Sequence, residues 1–208
     1  MLKSLLWSTR LATLTGPGGC GKTRLAVQVA AELLDAFSDG VWLVELASLS
    51  DATLIAHTIM TALDLHGQAG RTPTEALIEQ LQPRELLLVL DNYEHLIDGC
   101  ANLTMALLQY CSELRILATS REALNIPAES TWPVPPLSLI DPQQIANTTA
   151  LQSSEAARLF LDRAMAALAD FAVSDQTAPA IAQICQRLDG MPLAIESRAT
   201  RVRTTSLL

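Results

Sequence analysis

Short aliphatic runs recur along the chain, and each is followed by a stretch whose apolar residues fall at helical spacing. "RLATLT" (Arg10–Thr15) is apolar and bounded by Gly16, the pattern of a buried strand. "KTRLAVQVAAELLDAF" then spaces Leu25, Val29, Leu33 and Leu34 as one helical face, and Gly40 closes that unit. "VWLVEL" (Val41–Leu46) predicts a second strand. Ser50 and Asp51 form a helix start that "ATLIAHTIMTALDL" continues. In "TPTE", Thr72 stands three residues before Glu75, with Pro73 at the first helical position. This is a capping box, and it opens the helix "EALIEQL", which Pro83 stops. "ELLLVLDN" (Glu85–Asn92) is a continuous aliphatic run ending in a carboxylate, as in a central parallel strand buried on both faces. A helix over about Asp98 to Cys111 and a fourth strand, "RILATS" (Arg115–Ser120), come next. "WPV" (Trp132–Val134) is a short fifth candidate, and "PVPPL" is a rigid break after it.

Strands alternating with helices predict an α/β fold with a parallel sheet. After about Asp141 the strand pattern stops. "SSEAARLFLDRAMAAL" is helical; "APAIAQICQRLDG" is helical and ends at Gly190, a suitable C′ residue; Pro192 starts "PLAIESRATRVR". The expected division is a sheet domain over 1–140 and an all-helical module over 141–208 that the chain end interrupts.

Composition narrows the function classes. The 208 residues suffice for one generous domain, or one domain and part of a second. Half are apolar but only 4% are aromatic, which favours helices packed on aliphatic strands. A net charge of −8 disfavours a DNA-binding surface, since neutralising phosphates needs clustered Lys and Arg. The one basic cluster, Arg198, Arg201 and Arg203, reads as a solvated helix face, so direct nucleic-acid binding by this chain is not expected. The four cysteines, Cys20, Cys100, Cys111 and Cys185, have no CxxC spacing and are expected to be buried or incidental reduced thiols. "MLKSLLWSTRLATL" is broken by Ser8, Thr9 and Arg10 and does not read as a signal peptide. No apolar run approaches a membrane span, so the cytoplasm is expected and a membrane partner is not. His57 and His66 have no partner pattern and read as ordinary histidines.

The residues with chemistry cluster around one loop. Gly16-Pro17-Gly18-Gly19-Cys20-Gly21-Lys22-Thr23 fits G-x-x-x-x-G-K-[ST] between a strand and a helix, the context that identifies a phosphate-binding loop. Its glycines let successive N–H groups point at phosphate oxygens, and the following helix, with Arg24 in its first turn, adds its positive end. Lys22 suits the β- and γ-phosphates and the Thr23 hydroxyl suits Mg²⁺. Asp91, at the end of an aliphatic strand, suits the same Mg²⁺ directly or through water. The next residue, Asn92, is an amide and cannot act as a base. Glu94 is a candidate catalytic base or a helix cap, as is His95. Arg121 follows the fourth strand, where ligands sit in open α/β sheets. It is either a γ-phosphate contact that distinguishes ATP from ADP or the partner of Glu122 or another neighbour in a surface ion pair. The expected ligands are ATP or ADP with Mg²⁺.

In order and spacing, "RLATLTGPGGCGKTRLAVQVA", "LLLVLDNYEHL", "LRILATSREAL", "WPVPPL" and "LDGMPLAIE" resemble the NB-ARC-like nucleotide-binding domains of STAND-class signalling ATPases. The closest resemblance is to large bacterial transcriptional regulators of the AfsR and LuxR-type ATPase kind, and it extends from about Arg10 to Arg203. It implies a P-loop sheet of order 5-1-4-3-2 followed by a helical domain. It places Pro192, in Gly190-Met191-Pro192, against the nucleotide, and it implies a switch that holds ADP when off and ATP when on, with slow hydrolysis. The segment that usually precedes the first strand, a winged-helix domain and any effector or repeat domains have no counterpart in this sequence. After "PLAIE" the sequence "SRATRVR" replaces a more apolar face. The chain is therefore expected to be a truncated piece of a larger regulator, with any oligomerisation through the missing domains. The alternatives are an active P-loop ATPase of another class, against which the lack of an LSGGQ-like signature and Asn92 both count, and a non-functional remnant.

Overall fold

A computed structural model describes residues 2–141, 151–168 and 171–203. The chain divides into two compact units, one of Met1–Pro17 with Lys22–Val134, the other of Gly18–Gly21 with Pro135–Leu208. The first holds α1 (Leu2–Ser8), β1 (Leu11–Thr15), α2 (Lys22–Ala31), β2 (Val41–Glu45), α3 (Ile55–Ala62), α4 (Pro73–Leu81), β3 (Leu87–Asp91), α5 (Ile97–Tyr110), β4 (Arg115–Ser120) and β5 (Glu129–Pro133). Its strands form one sheet in the order β2-β3-β4-β1-β5, the order implied by the sequence resemblance, and every pairing is parallel.

The period-2 alternation of the central strands builds a core on each face of this sheet. Leu88 and Leu90 of β3, Ile116 and Ala118 of β4 and Leu11 of β1 pack with α3, α4 and α5. Leu87 and Val89, Leu117, and Ala12 and Leu14 pack on the other face with α1 and α2. Every residue of β3 is buried, including Asp91. A fully covered strand therefore carries its only charge at its carboxyl end.

Local chemistry explains most element boundaries. Thr72 and Glu75 make the expected capping box of α4, each side chain satisfying the other residue's backbone N–H, with Pro73 in the first turn. Asp51 is an N-cap, accepting from the Thr53 N–H at 2.8 Å, but the chain passes through a 3₁₀ turn at Ala52–Leu54 before α3 begins. The helix expected to run to Phe37 stops at Ala31 and gives way to a 3₁₀ turn at Leu34–Ala36. That turn keeps Leu33 and Phe37 in the core and turns Leu34 out to 54% exposure, although the sequence groups Leu33 and Leu34 as one face.

Two elements depart further from the sequence pattern. The fifth strand begins at Glu129, three residues before Trp132, and ends at Pro133. It is an edge strand, so polar Ser130 and Thr131 and a proline without an N–H are compatible with pairing on one side only. The Glu129 carboxylate also accepts the Leu124 and Asn125 N–H groups at 2.9 and 2.8 Å, closing the loop before it. The helix α1 has no counterpart among the expected elements. It buries Leu2 and Leu6, and Arg115 donates to the Leu6 and Thr9 carbonyls at 2.6 and 2.9 Å, satisfying its C-terminal end. Trp7 stacks on Phe37 at 5.6 Å, with the Arg115 guanidinium 5.2 Å from the Trp7 ring centre.

The second unit contains α6 (Glu155–Ala167), α7 (Ala178–Arg187), α8 (Pro192–Ala199) and a terminal 3₁₀ turn, Thr200–Arg203. Phe160, Leu161, Ile181, Cys185 and Ile195 lie in its core. Ser154 caps α6, and Glu155 accepts the Ser138 N–H at 3.0 Å, which holds its carboxyl below the usual 4.5. After α7 the chain turns through two left-handed residues, Asp189 (φ 50°) and Gly190 (φ 67°). Asp189 takes the C′ position expected of Gly190. Gly190 is needed one step later, where a Cβ would lie 2.3 Å from the Leu137 carbonyl oxygen. All four cysteines are buried and unbridged; burial pushes the Cys100 thiol up to about 12 and those of Cys111 and Cys185 up to about 11. Among the described residues, no helix is long and apolar enough to cross a membrane.

Gly190→Ala combines a strained φ with a backbone collision. It is expected to destabilise the chain by about 1–3 kcal/mol, read as a lower urea midpoint by circular dichroism.

Candidate functional site

Parallel pairing brings three strand ends to one edge of the sheet. Thr15 pairs in register with Ser120, and Asp91 pairs with Thr119. The motif residues of β1, β3 and β4 therefore meet at the carboxyl edge, although they are far apart in sequence. From β1 the chain turns through Gly16 and Pro17 and re-enters the unit at Lys22, the first residue of α2. Gly16, Gly19 and Gly21 all have positive φ, the backbone that curls such a loop. The Lys22 ammonium donates to the Gly16 and Pro17 carbonyls at 2.8 and 3.0 Å, so its positive charge lies over the loop's start.

Asp91 is the hub of this edge. The residue is 6% exposed, and its Oδ1 accepts from the Thr23 hydroxyl at 2.7 Å and the Thr119 hydroxyl at 2.5 Å. One oxygen thus joins the first turn of α2, the end of β3 and the end of β4. Asn92 adopts a left-handed backbone (φ 60°), and its N–H donates to the Thr119 carbonyl and hydroxyl at 3.1 and 3.0 Å. Tyr93 is fully buried; its hydroxyl lies 3.4 Å from the Glu122 carbonyl, and burial pushes the phenol well above its ordinary value. Arg121 pairs through Nε with Glu94 Oε1 at 3.0 Å, not with Glu122.

These contacts bring Lys22, Thr23, Asp91, Glu94 and Arg121 to one edge of one unit. Arg24 lies in the first turn of α2 and is exposed. Gly18, Gly19, Cys20 and Gly21 group with the second unit, as does Pro192, the first residue of α8. Cys20 is buried. His57 and His66 are exposed, and His95 approaches the Leu49 carbonyl at 2.5 Å. Nothing in the local sequence marks Thr119 as a site residue. Its place at the end of a strand beside an Asp-ending strand is the signal that identifies it, and that signal requires the register.

The donor set fits a hard cation. A hydroxyl and a carboxylate oxygen 2.7 Å apart suit Mg²⁺, which takes one or two protein oxygens and completes its shell with water and phosphate. Among the described residues, no group of three or more His, Cys, Asp or Glu could hold a metal without such help.

Comparison with known proteins places this geometry in context. A model of the family described as an AAA domain matches residues 8–126. An uncharacterized protein of Mycobacterium tuberculosis is 42% identical over 205 residues, covering 99% of this chain and 49% of that protein. A second M. tuberculosis protein, provisionally named an HTH-type transcriptional regulator, is 43% identical over 207 residues, 100% of this chain and 22% of that protein. This chain thus spans about half of the first relative and under a quarter of the second. A STAND protein with a tetratricopeptide repeat sensor from Pyrococcus horikoshii superposes with a TM-score of 0.57 at 14% identity, covering 93% of this chain and 28% of its own. The Cdc6p structure of Pyrobaculum aerophilum gives 0.60 at 17% identity, with 95% and 54% coverage. At these identities the two structures share the fold.

Thr119→Val keeps the shape and removes one donor to a buried carboxylate. It is expected to cost about 1.5–3 kcal/mol of stability, measured by chemical denaturation against the unaltered chain.

Proposed function

This chain belongs to the AAA domain family, and on that premise we propose that it is the nucleotide-dependent switch module of a larger transcriptional regulator. The observation that carries the proposal is the shared oxygen of Asp91, which ties the end of the phosphate loop to the two strands on which a γ-phosphate would act. In this reading Gly16, Pro17, Gly18, Gly19, Cys20 and Gly21 cradle the phosphates with backbone N–H groups. Lys22 neutralises the β- and γ-phosphates, and Arg24 lies beside the nucleotide. Thr23 and Asp91 hold Mg²⁺, which when bound neutralises phosphate charge and fixes the phosphates in place. Arg121 reads the γ-phosphate, and Pro192 contacts the nucleotide from the helical module, the division at about 140 separating reader from reporter.

Slow turnover fits the same edge. The residue after Asp91 is an amide in a left-handed turn, and the nearby carboxylate, Glu94, is engaged by Arg121. With Asn92 unable to act as a base and Glu94 held by Arg121, slow activation of water is expected, so bound ATP would persist and its presence could be reported. The relative named as an HTH-type regulator supports the larger context, with DNA binding assigned to parts of the parent protein outside this chain. The net charge of −8 agrees with that assignment.

Calorimetry with Mg²⁺ is expected to give ATP and ADP binding by the unaltered chain and its loss in Lys22→Ala; equal affinities would sink the phosphate-loop assignment. Single-turnover hydrolysis is expected below the range of about 1–1000 per second typical of metabolic enzymes. A rate inside that range would favour a working ATPase over a switch.

A further inference from the structure

Arg121 and Glu94 lie on different segments and differ in how firmly they are held. Arg121 is 64% exposed and follows the last residue of β4, so little but its partner restrains its long side chain. Glu94 is 23% exposed and sits between two buried anchors, Tyr93 and Leu96. The segment that carries it is laced to the segment carrying Arg121 rung by rung: Asp91 to Thr119, Asn92 to Thr119, Tyr93 to Glu122, and Glu94 to Arg121. The core therefore fixes the place of the carboxylate, and the carboxylate fixes the place of the guanidinium.

The atoms used are informative. Glu94 takes Nε, one of the five guanidinium donors, at 3.0 Å. The two terminal nitrogens of a guanidinium carry four further N–H donors, the groups that match a phosphate oxygen pair. A pair with one solvent-exposed partner adds little to stability. Its larger consequence is conformational, because ordering Arg121 in advance removes a cost that phosphate binding would otherwise carry.

We infer that Glu94 is the positioning residue of Arg121, holding its guanidinium ready for the γ-phosphate of ATP, and is not a general base. The inference rests on the reading of Arg121 as a γ-phosphate contact and adds to it the residue that sets its selectivity.

The test is calorimetry of ATP and ADP, each with Mg²⁺, on the 208-residue chain and its variants. Arg121→Ala tests the underlying reading and is expected to erode the preference for ATP. Glu94→Ala is expected to lower the ATP-to-ADP affinity ratio by about 2- to 10-fold, with ADP affinity unchanged. Adding it to Arg121→Ala is expected to change nothing further. Glu94→Gln, which keeps a hydrogen-bond acceptor for Nε, is expected to fall between, and it serves as the test if Glu94→Ala does not fold. A ratio unchanged or raised in the Glu94 variants, with Arg121→Ala still lowering it, overturns the positioning role alone. So does a loss of hydrolysis in Glu94→Gln with the ratio intact, since that is the behaviour of a base. An unchanged ratio in Arg121→Ala overturns the reading of Arg121 and with it this inference.

Discussion

A carboxylate at the end of an otherwise apolar, fully covered strand is costly to bury unless donors meet it. At Asp91 two threonine hydroxyls do so, one from the first turn of α2 and one from the end of β4. Most of the site depends on this arrangement. It holds the start of α2 against the sheet and sets the spacing between β3 and β4 at their carboxyl ends. It also puts a hydroxyl and a carboxylate oxygen, both of hard-donor type, 2.7 Å apart. A charge that would weaken a core becomes the point where three elements are joined, because each donor comes from a different one.

The position of that hub follows from the packing beneath it. Alternate residues of β1, β3 and β4 face opposite cores, so none of these strands can slip by one residue without turning its apolar set to the wrong face. Register is thus tightly held where the candidate site residues leave the sheet. The loops beyond the sheet inherit that order through Asn92, Tyr93 and Thr119. Buried Tyr93 is the anchor among them, since a ring of that size in the core leaves its neighbours Asn92 and Glu94 little freedom.

The fold by itself does not decide between a switch and a motor, because the same architecture serves several functions. What separates them is chemistry at the edge. The proposed switch reading rests on the amide that follows Asp91 and on a glutamate engaged by an arginine. The chain is acidic and spans only part of the length of its relatives.

The α/β class, the strand runs, the capping box at Thr72 and the glycine-rich turn after β1 are legible in the sequence. Each rests on local physics: period-2 or helical spacing, a side chain reaching three residues along, glycines where a loop must curl. Asp91 stood out for the same reason, as a charge ending an aliphatic run. Other features were decided by contacts between residues distant in sequence. α1 is capped by Arg115 from β4, β5 is polar because it pairs on one side only, and Thr119 matters only because its strand lies beside β3. Sequence adjacency offers Arg121 the neighbouring Glu122, whereas its partner is Glu94 across the sheet edge. Periodicity and motif spacing record what a residue does to its own segment; which segments become neighbours is set by burial of the two cores, and only the tertiary structure carries that information.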